Sequence, residues 1–216
     1  MTQQAPISIA IPTGALLNGA LDTLARSGLA RLSAEELGRQ LLAERGGVRV
    51  ILVRPADVPA YVDHGAADLG IVGKDILWET PGSHYELIDL RFGGCRLVLA
   101  VPDSSHLNGP ETWPPLMRVA TKYPRTAGAW FESRGQAVEV VRLHGSVELA
   151  PQVGLVDGIV DLTATGRTLQ ENRLRITAVL GTSTARLIAN QASLKTRTAA
   201  VQAVVAKLRE AVGDAG

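Results

Sequence analysis

The stretch Asp157-Gly158-Ile159-Val160-Asp161-Leu162-Thr163-Ala164-Thr165-Gly166-Arg167-Thr168-Leu169-Gln170-Glu171 decides how the chain is read. Ile159–Leu162 has the aliphatic character of a buried strand and runs straight into a small, hydroxyl-rich turn. Thr168 and Glu171 have the spacing of a capping box, so a helix is expected to open there. A strand, a tight turn and a helix start aim free backbone N–H groups and the helix dipole at one point, which favours an anion. Thr163, Ala164 and Gly166 are small enough for a phosphate to approach the main chain. Thr165 and Thr168 add hydroxyl donors, and Arg167 adds a positive charge. Asp157 and Asp161, four residues apart, share a face of an extended strand. Carboxylates at the mouth of such a turn hold ribose hydroxyls or a hydrated Mg²⁺. The same residues also suit an ordinary strand-to-helix turn, with Thr168 as its cap and both aspartates in water. The turn alone does not choose between these readings.

Outward from the turn, short aliphatic runs mark further strands: Ile7–Ile11, Val48–Val53, Leu69–Val72, Leu97–Val101, Arg118–Thr121, Val138–Leu143 and Ala185–Ala189. Segments with helical signals separate most of them. Ser33 and Glu36 form a capping-box pair. Pro55 suits a first helical turn leading through Val58, Tyr61 and Val62 toward Gly65. Val201, Val204, Val205, Leu208 and Val212 recur at helical spacing in an amphipathic last helix. Strands alternating with helices predict an α/β protein with mixed, mostly parallel sheets. Pro102–Pro115 is polar and Pro-rich, and reads as an exposed loop. A boundary is expected near Gly93–Gly94.

The chain has 216 residues, enough for one large domain or two small lobes. Aromatic residues are only 4%, so the core has to be built from aliphatic side chains, and a stacking surface for single-stranded nucleic acid is disfavoured. With 22 basic and 21 acidic residues there is no global field, and any anionic ligand has to be met by a local site. A single cysteine, Cys95, excludes an internal disulfide. The start, MTQQAPISIAI, has no basic region followed by a long apolar one, and no apolar run approaches the roughly 20 residues that span a bilayer. A cytoplasmic protein is expected.

The phosphate turn and its neighbours resemble the ATP phosphoribosyltransferase family, in its short form. The family signature is matched from Glu148 through Gly154 to Asp161, Thr165-Gly166 and Thr168-Leu169. Other blocks are similar to the family in the right order: Arg54-Pro55-Ala56-Asp57, His64 to Asp75 with Asp68 and Lys74, and Phe92 to Pro102 with Arg96. Arg118 to Pro124 with Lys122, Gly145 to Pro151, and Ala185 to Asn190 complete the set.

The resemblance implies a two-lobed fold like the type II periplasmic binding proteins, with a central cleft. One lobe would hold residues 1–93 and 181–216 on the ATP side, the other residues 94–180 on the phosphoribosyl pyrophosphate side. It implies transfer of a phosphoribosyl group to N1 of ATP, the first step of histidine biosynthesis, with Mg²⁺ carried by the substrate phosphates. It also implies a regulatory subunit related to histidyl-tRNA synthetase, and a homodimer within a hetero-oligomer. Asp161, Thr163, Ala164, Thr165, Gly166, Arg167 and Thr168 would meet the phosphoribosyl donor. Gly14, Arg54, Asp68, Lys74, Asp75, Arg96 and Lys122 would serve ATP and the phosphates, and Glu148 is the candidate polar contact in the cleft. Adenine N1 is itself a lone-pair nucleophile, so the reaction needs alignment and charge stabilisation rather than an activated side chain.

In one place the chain departs from the family. Pro12-Thr13-Gly14-Ala15 stands where the family usually has Pro-Lys-Gly-Arg, so two phosphate-binding charges are missing. Weaker ATP binding, or a basic residue supplied from elsewhere, is expected. A small-anion binding protein of the same fold, or a paralogue without turnover, is the competing reading. Neither G-x-x-x-x-G-K-[ST] nor G-x-G-x-x-G occurs, which disfavours a P-loop or Rossmann enzyme.

Overall fold

In the run Ile7-Ser8-Ile9-Ala10-Ile11-Pro12 every residue but Ser8 is buried, as a central strand with both faces covered requires. It forms β1 (Ile7–Pro12) of a computed structural model that describes residues 5–37 and 40–213. The chain forms two compact units, Met1–Gly93 with Thr184–Gly216, and Gly94–Ser183.

The first unit contains a six-stranded sheet, formed by β1, β2 (Leu42–Arg45), β3 (Val48–Val53), β4 (Leu69–Gly73), β5 (Tyr85–Asp89) and β11 (Ala185–Ala189) in the order β2-β3-β1-β4-β11-β5. Only β3-β1-β4 run parallel. One face carries α1 (Leu17–Arg26) and α8 (Thr198–Val212), whose Leu24, Val201, Val204 and Leu208 pack with Ile9, Ile11, Ile71 and Leu187. Burying each of these α8 side chains contributes about 1.5–3 kcal/mol. The other face carries α3 (Val58–Asp63), whose Val58 and Val62 press on Gly70. A methyl group at Gly70 would come within 2.7 Å of Val62 and 2.8 Å of Val58, so a residue without Cβ is needed for this approach.

The second unit contains a five-stranded sheet formed by β6 (Cys95–Pro102), β7 (Leu116–Thr121), β8 (Ala137–Arg142), β9 (Gly158–Thr163) and β10 (Leu174–Ser183), in the order β10-β6-β9-β7-β8. Here β9-β7-β8 run parallel, and β6 is antiparallel to both of its neighbours, β9 and β10. Val98, Ala100, Ala120 and Ile159 bury one face under Val147, Ala150 and Leu169. Helix α5 (Pro124–Glu132) packs on β8, and its Phe131 is fully buried.

Both sheets are mixed, but parallel pairing does not predominate. Among the described residues four strand pairs are parallel and five antiparallel. Two of the strands that start or end a passage between the units, β6 and β11, run against the central three of their sheets, and an aliphatic run reads the same in either direction. The Ser33–Glu36 capping box forms as expected, with the Ser33 N–H donating to Glu36 and the Glu36 N–H to Ser33 at the start of α2 (Ala34–Leu37). Pro55 opens a 3-10 turn, Pro55–Asp57, that leads into α3. The expected loop at Pro102–Pro115 is tied down. Arg175 donates to the carbonyls of Ser105 and Leu107, and Leu107 is buried.

Candidate active site

In parallel strands the carboxyl ends share one edge, and ligands of open α/β sheets gather there. In the second unit, Thr121 at the end of β7 is level with Val160 on β9 and Arg142 on β8. Lys122 and Asp161 therefore follow side by side. Antiparallel β6 begins at the same edge, with Arg96 opposite Thr163. Glu148 lies on a 3-10 turn, Val147–Leu149, whose Val147 is packed against β9. Lys122 and Arg96 are exposed, Glu148 is half-buried and Asp161 is buried. Burial pushes the Asp161 carboxyl above its ordinary value; Lys122 and the Leu162 N–H oppose this, and the negative charge of Glu148 adds to it. One edge thus brings together Arg96, Lys122, Glu148, Asp161 and the turn after Thr163.

The turn itself is built differently from its sequence reading. Gly166, at φ +83°, is the residue before α6 (Arg167–Glu171), and a left-handed conformation there favours glycine. The Thr163 hydroxyl is buried and accepts the Gly166 N–H at 2.8 Å, closing the turn. The Thr165 hydroxyl lies 3.4 Å from the Arg167 N–H. The Thr168–Glu171 capping box does not form. Thr168 is already inside the helix, and Glu171 instead pairs with Arg167 at 2.8 Å. Three residues separate Thr168 and Glu171 in a helix interior as well, so spacing alone could not place the cap. Ala164, Thr165, Arg167 and Thr168 are exposed. A groove of about 390 Å³ is lined by Arg96, Thr165, Gly166, Gln170 and Arg175, among others. Asp157 is not at this edge. It precedes β9 and accepts from the Arg118 N–H at 2.8 Å and its guanidinium at 3.0 Å, pinning the amino ends of β7 and β9.

In the first unit the carboxyl ends of β1, β3 and β4 likewise share an edge. Pro12 is level with Val53, and the Thr13 N–H donates to the Val53 carbonyl at 2.9 Å. Gly14, at φ +80°, and Arg54 are both exposed there, so a cation from the neighbouring strand stands beside the turn that lacks its own. Lys74 and Asp75 follow β4 at the same edge but are engaged. Lys74 pairs with Glu86, which also meets Arg186 at 3.3 Å, and Arg186 reaches Asp89 at 3.1 Å. The buried Asp75 carboxylate folds back over Gly73.

Asp68 lies before β4, at the opposite edge. Its carboxylate accepts from the Ser8 N–H and hydroxyl at 2.8 Å each, the Ser193 hydroxyl at 2.7 Å and Arg197 at 2.7 Å. That is a full complement of donors, so Asp68 is a structural tie rather than a nucleotide contact. Arg96 and Lys122 stand in the second unit, at the edge that carries the Thr163–Thr168 turn, and Gly14 and Arg54 belong to the first. Sequence reasoning missed Thr121, whose hydroxyl joins two strands of the site. The only signal was its place just before Lys122. Among the described residues no group of three or more His, Cys, Asp or Glu side chains is placed to hold a metal.

Fold and edges define a two-lobed α/β protein on the plan of the periplasmic binding proteins. The periplasmic aliphatic sulphonate binding protein SsuA from Escherichia coli shares that fold, at TM-score 0.60 and 16% identity, covering 98% of this chain and 74% of the other. The HisG ATP phosphoribosyltransferase family model matches residues 54–210. An ATP phosphoribosyltransferase of Rubrobacter xylanophilus is 48% identical over 204 residues, 94% of each chain. A chain of the ATP phosphoribosyl transferase HisG:HisZ complex from Thermotoga maritima superimposes at TM-score 0.79 with 35% identity, covering 96% of this chain and 98% of that one. The chain belongs to the HisG ATP phosphoribosyltransferase family.

Proposed function

We propose that the chain transfers the phosphoribosyl group of phosphoribosyl pyrophosphate to N1 of ATP, releasing pyrophosphate, in the first step of histidine biosynthesis. Family membership supports the reaction, and the gathering of Arg96, Lys122, Glu148, Asp161 and the Thr163–Thr168 turn at one edge carries the placement of the donor. The bond from the sugar carbon to pyrophosphate breaks as the bond to N1 forms, and positive charge develops on the sugar ring. The turn takes the 5′-phosphate on main-chain N–H groups and the Thr165 and Thr168 hydroxyls, while Asp161 holds the ribose. Lys122 and Arg96 meet the negative charge that collects on the leaving pyrophosphate. Gly14 and Arg54 receive the phosphates of ATP at their own edge.

Mg²⁺ arrives with the substrate phosphates. Such an ion keeps most of its water and takes the rest of its ligands from phosphate. The similarity to a chain of the Thermotoga maritima HisG:HisZ complex supports a regulatory subunit, which we place in a hetero-oligomer around a homodimer of this chain. A cytoplasmic location agrees with a described structure in which no helix is long and apolar enough to cross a membrane.

The test is chromatographic detection of phosphoribosyl-ATP from ATP, phosphoribosyl pyrophosphate and Mg²⁺, with and without a HisZ-type partner. Product in either mixture is expected. Substrate binding without product in both would leave a binding protein of the same fold.

A further inference from the structure

Thr121 is fully buried at the end of β7, one residue before Lys122. Its hydroxyl donates to the Val160 carbonyl at 2.6 Å and accepts the Tyr123 N–H at 2.9 Å. Val160 immediately precedes Asp161, and Tyr123 immediately follows Lys122. The main-chain carbonyl of Thr121 also accepts the Leu143 N–H at 3.0 Å, fixing the same point to the end of β8. A single side chain therefore holds the backbone on which the carboxylate and the ammonium of the site are mounted. Away from the hydroxyl, a buried carbonyl and a buried N–H would lose their partners, and the turn would have to move to satisfy them.

We propose that Thr121 is a positioning residue that sets the spacing of Lys122 and Asp161 and thereby the binding of the phosphoribosyl donor. This rests on the transfer reaction above. The amino ends of the same two strands are already pinned by Asp157 and Arg118, so the pairing of β7 with β9 does not depend on Thr121 alone. What the hydroxyl adds is local, at the edge where the reactive groups stand. Lys122 is the positive charge that favours the ionised form of Asp161, against burial and the negative charge of Glu148. A Lys122 that drifts away leaves Asp161 protonated to higher pH.

The experiment compares Thr121→Val, which keeps the shape and removes the hydroxyl, with Thr121→Ser, which keeps the hydroxyl. Both are assayed in the complex that turns over. In Thr121→Val, kcat/KM for phosphoribosyl pyrophosphate falls about 10- to 100-fold, the scale for a displaced catalytic geometry, and mainly through KM. The acid limb of its pH–rate profile moves to higher pH, and Thr121→Ser restores both. Asp157→Asn serves as the structural control, expected to lower the melting temperature while the acid limb stays in place. A folded Thr121→Val with wild-type KM and an unmoved acid limb overturns the proposal. So does one whose activity falls only in proportion to its folded fraction. If Thr121→Val does not fold, Thr121→Cys, with its weaker thiol donor, is read by the same two signatures. Wild-type protein that makes no phosphoribosyl-ATP fails the transfer reaction itself, before any variant is compared.

Discussion

Asp161 holds a carboxylate where burial opposes its charge, the positive charge of Lys122 favours it and the negative charge of Glu148 disfavours it. Its folded-state pKa is raised, so the folded chain binds this proton more tightly than the unfolded chain does. The contribution to stability is full below the ordinary carboxylate value of 3.8 and is lost as pH rises through the folded value. Wherever it is ionised, the side chain therefore costs stability. Asp161→Asn is expected to raise the melting temperature at neutral pH while lowering kcat by about 100-fold, the usual scale for one preorganised polar group. Thermal denaturation and turnover on the same preparation check this, and a lower melting temperature contradicts it. Asp161 was legible in the sequence because it breaks an aliphatic run just before a hydroxyl-rich turn. Thr121 was not, because a threonine at the end of a strand looks the same whether its hydroxyl meets water or a buried carbonyl. Asp68 was misjudged for a similar reason. Its four donors come from Ser8, Ser193 and Arg197, which no local pattern connects to it.

At the level of elements, the turn between β9 and α6 depends on the left-handed Gly166 and on the Thr163 hydroxyl that closes over it. No heavy atom lies within 4 Å of a Cβ built at Gly166, so a methyl group there meets only the backbone penalty, about 1–2 kcal/mol. Gly166→Ala is expected to lower the melting temperature by a few degrees and raise KM for phosphoribosyl pyrophosphate, leaving KM for ATP in place. Initial-rate kinetics with each substrate varied in turn check this; an equal rise in both constants would move the turn away from the donor.

Strands that are buried along most of their length, such as β1, β4 and β9, were plain in the sequence because they are mainly short aliphatic runs. β2, β5 and β10 were not. β2 is a four-residue exposed edge. β5 is Tyr85-Glu86-Leu87-Ile88-Asp89, and its acids make sense only beside Arg186 and Lys74. β10 mixes threonine and glycine into ten residues, with register shifts against β6 at two places, so it has no clean alternation.

Over the whole molecule, the tie at Asp68 joins segments 60, 125 and 129 residues apart in the chain. Burial raises the pKa of this carboxyl, but the Ser8 N–H, the Ser193 and Ser8 hydroxyls and the Arg197 guanidinium outweigh it, and the net shift is downward. Its contribution to stability is therefore present above the ordinary carboxylate value and lost as pH falls through the depressed folded value. Asp68→Ala leaves Arg197 and two serines without their acceptor, and is expected to cost about 3 kcal/mol. Urea denaturation at neutral pH and in the acid range should show a deficit that shrinks in acid. A deficit constant with pH would mean that the ion pair contributes nothing to it.

The strand order β4-β11-β5 has a consequence for how the protein is made. β11 lies between β4 and β5 in the sheet, yet 95 residues separate Asp89 from Thr184. As the chain leaves the ribosome, the continuous second unit, Gly94–Ser183, is complete while the first still lacks its penultimate strand and the helix that covers it. Throughout that interval the buried row Leu69–Gly73 is an open apolar edge, the kind of template on which nascent chains aggregate. The time needed to translate the second unit therefore sets how long the first must be shielded, so this chain should depend on chaperones during synthesis more than its small size suggests.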